Sequence, residues 1–183
     1  MLKCKSGWLK GAKRVLSPNC NERPDEQNVS LLVIHNISLP PGEFGGGYVE
    51  RFFSNDLPVE VHPFFEEIKG LQVSAHCFIS REGEVTQFVP LNQRAWHAGV
   101  SRFDGCEGCN DFSIGIELEG TDEIEYTQAQ YQALVELTKS IQSDYPLITE
   151  QRIVGHSDIA PERKTDPGVA FDWAYYRSKL SES

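Results

Sequence analysis

Phe112-Ser113-Ile114-Gly115-Ile116-Glu117-Leu118-Glu119 decides the fold class of this chain. Read as a strand, it points Phe112, Ile114, Ile116 and Leu118 one way and Ser113, Gly115, Glu117 and Glu119 the other. The small residues on the second face leave room for something to approach Glu117. A helix is predicted directly afterwards, with Thr127 as N-cap, Gln130 at the capping-box position, and Tyr131, Leu134, Val135, Thr138 and Ile141 on one face. Pro146 lies just beyond its end. Upstream, Leu31-Leu32-Val33-Ile34 is an unbroken aliphatic run, the mark of a strand buried on both faces. Val73–Ile79 and Val85–Val89 read as a hairpin turning at Glu82-Gly83, and Arg152–Gly155 reads as another short strand. Short helices are expected over Val49–Phe53 and Pro63–Ile68, and a final amphipathic helix over Phe171–Leu180. Strands and helices intermix along the whole length with no dividing linker. The expectation is an α/β protein, a single domain over residues 1–183, with a central mixed β-sheet flanked by helices. Residues 1–28, broken by Pro18 and Pro24, are expected to be an irregular leader packed on that domain.

The bulk properties narrow the function. At 183 residues the chain can bury a full core, and 39% hydrophobic and 10% aromatic residues are globular values. A formal net charge of −10 argues against nucleic acid or an anionic membrane surface as partner. Met1–Trp8 has no apolar core of signal-peptide length and no later run approaches a membrane span, which predicts a cytoplasmic protein. No obligate protein partner is evident. The 5 cysteines are an odd count, which fits reduced thiols. Cys106-x-x-Cys109 lacks the second pair that a structural metal site needs, and is read as incidental.

The chemistry concentrates in Gly155-His156-Ser157-Asp158-Ile159-Ala160-Pro161-Glu162-Arg163-Lys164-Thr165-Asp166-Pro167-Gly168. Prolines and glycines constrain a loop that carries an imidazole, an ammonium and a carboxylate. His35 ends one apolar strand and His156 another, so both rings can emerge at one edge of the sheet. With Asp166 they make the two-nitrogen, one-oxygen set of a catalytic zinc, which leaves a fourth position for water. His76 and His97 are either core histidines or partners behind the ligands, and residue type alone does not exclude them as ligands. His62, before Pro63, is expected at the surface. Glu117 is either a general base or a solvated carboxylate at a sheet edge, and nearby Glu119, Glu123 and Glu125 favour an acidic solvated patch. Lys164, two residues before Asp166, places a positive charge where an oxyanion forms during attack on a carbonyl. The chain has no His-Glu-x-x-His helix and no Gly-x-Ser-x-Gly elbow, and Gly45-Gly46-Gly47 lacks the lysine of a phosphate loop. The long loop Ile37–Gly47 reads as a functional segment.

Five runs together resemble one family: Val33-Ile34-His35-Asn36-Ile37-Ser38-Leu39-Pro40-Pro41-Gly42, Val73-Ser74-Ala75-His76, Arg94-Ala95-Trp96-His97-Ala98-Gly99, Asn110–Glu117 and Gly155–Gly168. They are similar to the AmpD-type N-acetyl-anhydromuramoyl-L-alanine amidases, within the zinc amidase and peptidoglycan-recognition superfamily related to phage T7 lysozyme. The resemblance implies that fold, one Zn2+ per chain held by His35, His156 and Asp166, and His76 as a non-ligand. It implies Glu117 as activator of the attacking water and Lys164 as stabiliser of the transition state. Asn36 and Trp96 match positions lining the substrate cleft. The implied reaction cuts the amide between anhydro-N-acetylmuramic acid and L-alanine in small cytosolic muropeptides. The implied role is cell-wall recycling, with indirect control of β-lactamase induction. Two positions depart from the pattern: Gln72 and Gly108 stand where the family commonly has arginines that hold the stem peptide, and Arg102 is the candidate to take over one of those roles. A non-catalytic peptidoglycan sensor of the same fold is the rival reading; such sensors typically lose a zinc ligand, and here all three are present.

Overall fold

The structure, a computed structural model, describes residues 7–182. Met1–Ser6, including Cys4 and the start of the expected leader, lie outside the described residues. Among the described residues, ten strands and five α-helices follow in chain order. The strands are β1 (Lys13–Arg14), β2 (Cys20–Asn21), β3 (Leu31–Ile37), β4 (Cys77–Ile79), β5 (Val85–Gln87), β6 (Arg94–Ala95), β7 (Arg102–Phe103), β8 (Cys106–Glu107), β9 (Ser113–Glu119) and β10 (Ile153–Gly155). The helices are α1 (Tyr48–Phe53), α2 (Pro63–Glu67), α3 (Gln128–Asp144), α4 (His156–Ile159) and α5 (Trp173–Ser181). Six strands form one sheet in the order β1-β5-β4-β9-β3-β10, and two small two-stranded sheets pair β2 with β6 and β7 with β8. The main sheet is mixed, since β4 and β5 run antiparallel while β4, β9, β3 and β10 are parallel.

β9 is buried along its whole length and β3 from Leu31 to His35. Leu32, Ile34, Ile114, Ile116 and Leu118 pack under α3 and α5 with Tyr131, Leu134, Leu137, Ile141 and Tyr176. Burying an aliphatic side chain of this size stabilises by about 1.5–3 kcal/mol, so this face accounts for much of the fold. α3 starts as the sequence predicts: Thr127 accepts from the Gln130 backbone N–H, and the Gln130 side chain accepts in return from the Thr127 N–H. The opposite face of the sheet carries Leu31 and Val33, packed with Ala98, Cys109 and Ile159. A third cluster, with Leu39, Phe52, Phe53, Phe65 and Phe88, lies under α1 and α2. Among the described residues no helix is long and apolar enough to cross a membrane.

Four expectations need correction. The leader is not wholly irregular, because Lys13–Arg14 adds a parallel strand beside β5 and Cys20–Asn21 pairs antiparallel with β6. Phe112 does not belong to the apolar face of β9: it caps a short 3-10 turn before the strand and packs with Leu31 and Val33 on the other side. Glu119 is no solvated edge residue. It is buried, and its carboxylate accepts the backbone N–H of Gly45 and of Arg81, tying two distant loops to the end of β9. His62 is half-buried; its ring accepts the Phe64 N–H and caps α2.

Candidate active site

Register builds the site. In the parallel pairing of β3 with β9, His35 lies opposite Glu117, and in the pairing of β10 with β3, Gly155 lies opposite Ile34. The next residue after Gly155, His156, therefore emerges beside His35, and Glu117, His35 and His156 form a row at the carboxyl ends of three neighbouring parallel strands. Ligands of open α/β sheets bind at this end. The last corner comes from the loop after α4. The Ser157 N–H donates to the Asp166 carbonyl at 3.0 Å, and Gly155 has no side chain to meet Pro167, whose Cδ would be 2.8 Å from a Cβ there.

Three ligand-type atoms converge. His35 Nδ1 and His156 Nδ1 are 3.0 Å apart, and each is 3.1 Å from Asp166 Oδ2. The far side of each ring sets its tautomer. His156 Nε2 faces the Ala98 carbonyl at 3.1 Å, so it must carry the proton, and Nδ1 presents a lone pair. His35 Nε2 faces His97 Nδ1 at 2.9 Å, and His97 Nε2 faces the Ser113 hydroxyl at 3.1 Å. A relay donating from His35 through His97 to Ser113 leaves His35 Nδ1 as a second lone pair. Burial lowers the His35 pKa to about 4, against the opposing pull of the Asp166 carboxylate, so the ring is neutral near pH 7. Two lone pairs and a carboxylate oxygen pointed at one another repel unless a cation lies among them. The corners of a zinc tetrahedron with bonds of about 2.0 Å are about 3.3 Å apart, close to the spacing found. His35, His156 and Asp166 thus fit a zinc ion by donor type, tautomer and spacing.

His97 is the residue that approaches through the gap beside Glu117. A Cβ on Gly115 would lie 2.5 Å from the His97 ring, so only glycine lets the imidazole come this close to β9. Asn110 Oδ1 accepts the backbone N–H of both His97 and Ala98, which fixes the segment bearing that ring and the carbonyl that orients His156. Second partners of this kind set the affinity of a metal site by about 10- to 100-fold. His97→Ala is accordingly expected to weaken zinc binding by about that factor in a chelator competition while the fold persists. Unchanged affinity would mean that His35 needs no partner to hold its tautomer. His76 is fully buried behind this layer, donates Nε2–H to the Gln93 carbonyl and accepts the Gly115 N–H at Nδ1, so both its nitrogens are committed away from the converging atoms.

Glu117 is 8% exposed, and its Oε2 has no hydrogen-bond partner among the described residues. Burial pushes its pKa well above the ordinary carboxylate range, the nearby Asp166 charge adds to this, and Lys164 pulls the other way. An unpartnered, buried and unusually basic carboxylate beside the ligand atoms is what general acid–base chemistry requires. Lys164 is half-buried on the loop that carries Asp166. A cavity of about 390 Å3 opens over this row, with Asn36, Trp96, Glu117 and Lys164 around the ligand residues and Leu39, Phe52, Phe64, Ile68 and Leu71 forming an apolar wall. Asn36 is aligned by donating Nδ2–H to Asp122 at 2.9 Å.

The structure does not bring Arg102 to this cavity. It lies exposed on the β7–β8 hairpin, opposite Glu107. Gln72 lines a neighbouring hollow with Lys69 and Leu71, and Gly108 starts the 3-10 turn before β9 at φ 69°, where a glycine is at ease. Sequence reasoning missed Ser113, Asn110 and Arg163. Arg163 donates to the Ala98 and Val100 carbonyls at 2.7 and 2.8 Å and so steadies the carbonyl that orients His156. No spacing rule links these residues; only the folded register does.

Two histidines at the carboxyl edge of the sheet, with an aspartate from the following loop and a buried glutamate beside them, form a donor set that could hold a metal ion, and the chain belongs to the N-acetylmuramoyl-L-alanine amidase family, whose model Amidase_2 matches residues 25–169. Within it, the chain is 57% identical over 176 residues to 1,6-anhydro-N-acetylmuramyl-L-alanine amidase AmpD of Escherichia coli K12, covering 96% of each protein. It is 56% identical over 174 residues to AmpD of Haemophilus influenzae, covering 95% of each. A crystal structure of a selenomethionine AmpD derivative matches with a TM-score of 0.95 at 55% identity, over 99% of this chain and 100% of that one. The amidase AmiD from E. coli, solved with anhydro-N-acetylmuramic acid-L-Ala-D-γ-Glu-L-Lys, matches with a TM-score of 0.62 at 28% identity, over 97% of this chain and 65% of that one.

Proposed function

We propose that this protein is a zinc-dependent amidase that hydrolyses the bond between anhydro-N-acetylmuramic acid and the L-alanine of a stem peptide. Small cytosolic muropeptides released during cell-wall recycling would be its substrates. The observation that carries this reading is the convergence of His35 Nδ1, His156 Nδ1 and Asp166 Oδ2 within 3.0–3.1 Å, directly beside the unpartnered Glu117 carboxyl. It is supported by 57% identity to a named 1,6-anhydro-N-acetylmuramyl-L-alanine amidase along nearly the whole chain.

Zinc, when bound by those three residues, supplies Lewis acidity toward a water and the scissile carbonyl. Glu117 receives the proton of the attacking water, and its raised basicity suits it to do so and then to return the proton to the departing alanine amine. Lys164 places its ammonium on the cavity wall where negative charge develops on the carbonyl oxygen. Asn36 and Trp96 border the same cavity as contacts for the substrate, and the apolar wall from Leu39 to Leu71 excludes water from one side. Arg102, exposed on its hairpin, is not among the residues that line this cavity.

The test is to incubate zinc-loaded protein with anhydromuramoyl-tripeptide and follow separated sugar and peptide by mass spectrometry. Intact wall sacculi should be cut poorly; rapid solubilisation of sacculi would contradict a recycling role. Lys164→Ala should keep zinc and lose about 100- to 1000-fold in turnover, the usual cost of one lost oxyanion donor. Near-normal kcat in that variant would remove Lys164 from the chemistry.

A further inference from the structure

The segment Ser17–Arg23 precedes residue 25, where the match to the family model begins, and is tied to Phe53, Val73 and Ser74, which line the cavity. Its anchors are numerous. Ser17 Oγ–H donates to the Phe53 carbonyl at 2.5 Å, and Asn19 Nδ2–H donates to the Val73 carbonyl at 2.8 Å. At its far end the Arg23 guanidinium is buried and donates to the carbonyls of Leu91, Asn110, Asp111 and Ser113, with no carboxylate in the set. Burial lowers its pKa only to about 10, so it stays charged. Arg23 Nη2 also lies 3.0 Å from the His76 ring at Nε2, and a charge buried among these partners with no carboxylate pins this strap in place.

What the strap holds is Trp96. The Trp96 backbone N–H donates to Ser74 Oγ at 3.1 Å, and that hydroxyl in turn donates to the Asn19 carbonyl at 2.7 Å. The indole Nε1–H donates to Asn21 Oδ1 at 2.7 Å. Asn21 is placed for this by the pairing of β2 with β6, which sets it opposite Arg94, and Arg94 Nη1–H shares the same oxygen at 3.2 Å while pairing with Asp111. Main chain and ring of Trp96 therefore both end on the strap.

We infer that Asn21 is a positioning residue for substrate binding, holding the Trp96 indole against the cavity through its side-chain oxygen. The inference rests on the amidase reading, in which Trp96 contacts the muropeptide. An indole released from Asn21 samples more than one rotamer, and ordering it again on binding weakens the grip on ground state and transition state alike.

The experiment is a double-mutant cycle read as KM and kcat on anhydromuramoyl-tripeptide, with zinc content and thermal midpoint measured on every variant. Asn21→Ala should raise KM about three- to tenfold at unchanged kcat and zinc content. Asn21→Asp, which keeps an acceptor oxygen, should restore KM to within about twofold of wild type. In the background of Trp96→Phe, which has a ring but no N–H, Asn21→Ala should change KM no further. An Asn21→Ala effect that persists undiminished beside Trp96→Phe would overturn the inference, as would an unchanged KM in the single variant. If Asn21→Ala fails to fold, the Asp variant and the Trp96→Phe single variant decide: the latter should reproduce the KM rise alone. A wild-type protein that cuts no muropeptide would instead sink the amidase reading on which this role depends.

Discussion

Glu117→Ala is expected to retain about one zinc per chain and to lose turnover on anhydromuramoyl-tripeptide by about 100- to 10,000-fold, the range that a positioned general base contributes. The carboxyl is buried beside the ligand atoms without being one of the three that converge, so its removal takes away proton transfer and leaves the donors in place. Metal analysis and single-turnover kinetics on the same sample check this, and loss of zinc together with activity would recast Glu117 as structural. The same residue makes stability depend on pH. Burial first, and Asp166 second, raise its pKa in the folded protein well above 4.5. Between the unfolded and folded values the native state binds more protons than the unfolded chain. This contribution is therefore fully present below the unfolded pKa and is lost as pH rises through the folded one. In metal-free protein Glu117→Gln should then melt above wild type at about pH 8, with the difference closing toward about pH 5. A difference that does not vary with pH would mean that Glu117 is ionised in the metal-free fold.

The second large effect belongs to the ligands. His35→Ala, His156→Ala and Asp166→Ala should each abolish stoichiometric zinc and reduce hydrolysis to background, because two donors cannot close a zinc site. His62→Ala, at the start of α2 and away from the row, should keep both metal and activity. Exhaustive chelation should silence the wild type and added zinc should restore it. Two zinc ions per chain by metal analysis, or full activity after chelation, would contradict a single catalytic centre.

Much of this was legible before folding. The alternation from Ser113 to Leu118 and the aliphatic run from Leu31 identify the two central strands because burial on a sheet imposes a period of two or a continuous apolar stretch. The box of Thr127 and Gln130 marks the start of α3 because the first turn of any helix must satisfy its own N–H groups. These are local rules, and they hold wherever the partner strands lie. They also expose His35, His156 and Asp166 as candidates, since strand ends and a proline-bounded loop are visible in one dimension.

What the linear order does not contain is register. The two-residue strands of the leader exist only because β5 and β6 lie beside them, so no pattern of their own announces them. Glu119 reads as a surface acid among Glu123 and Glu125 until two loops, 74 and 38 residues away, bring their N–H groups to it. Arg102 reads as a substitute for a missing arginine, yet its hairpin leaves it exposed and outside the lining of the cavity. His97 had several possible roles, and the glycine seat at 115 decides among them. The sequence by itself determined which elements form and which side chains are fit for zinc and acid–base work, because periodicity and donor chemistry are properties of the residues. Only the tertiary structure decided that Glu117 lies opposite His35 and that Asn21 meets Trp96. Those contacts depend on parallel strands and a strap brought together from far apart in the chain.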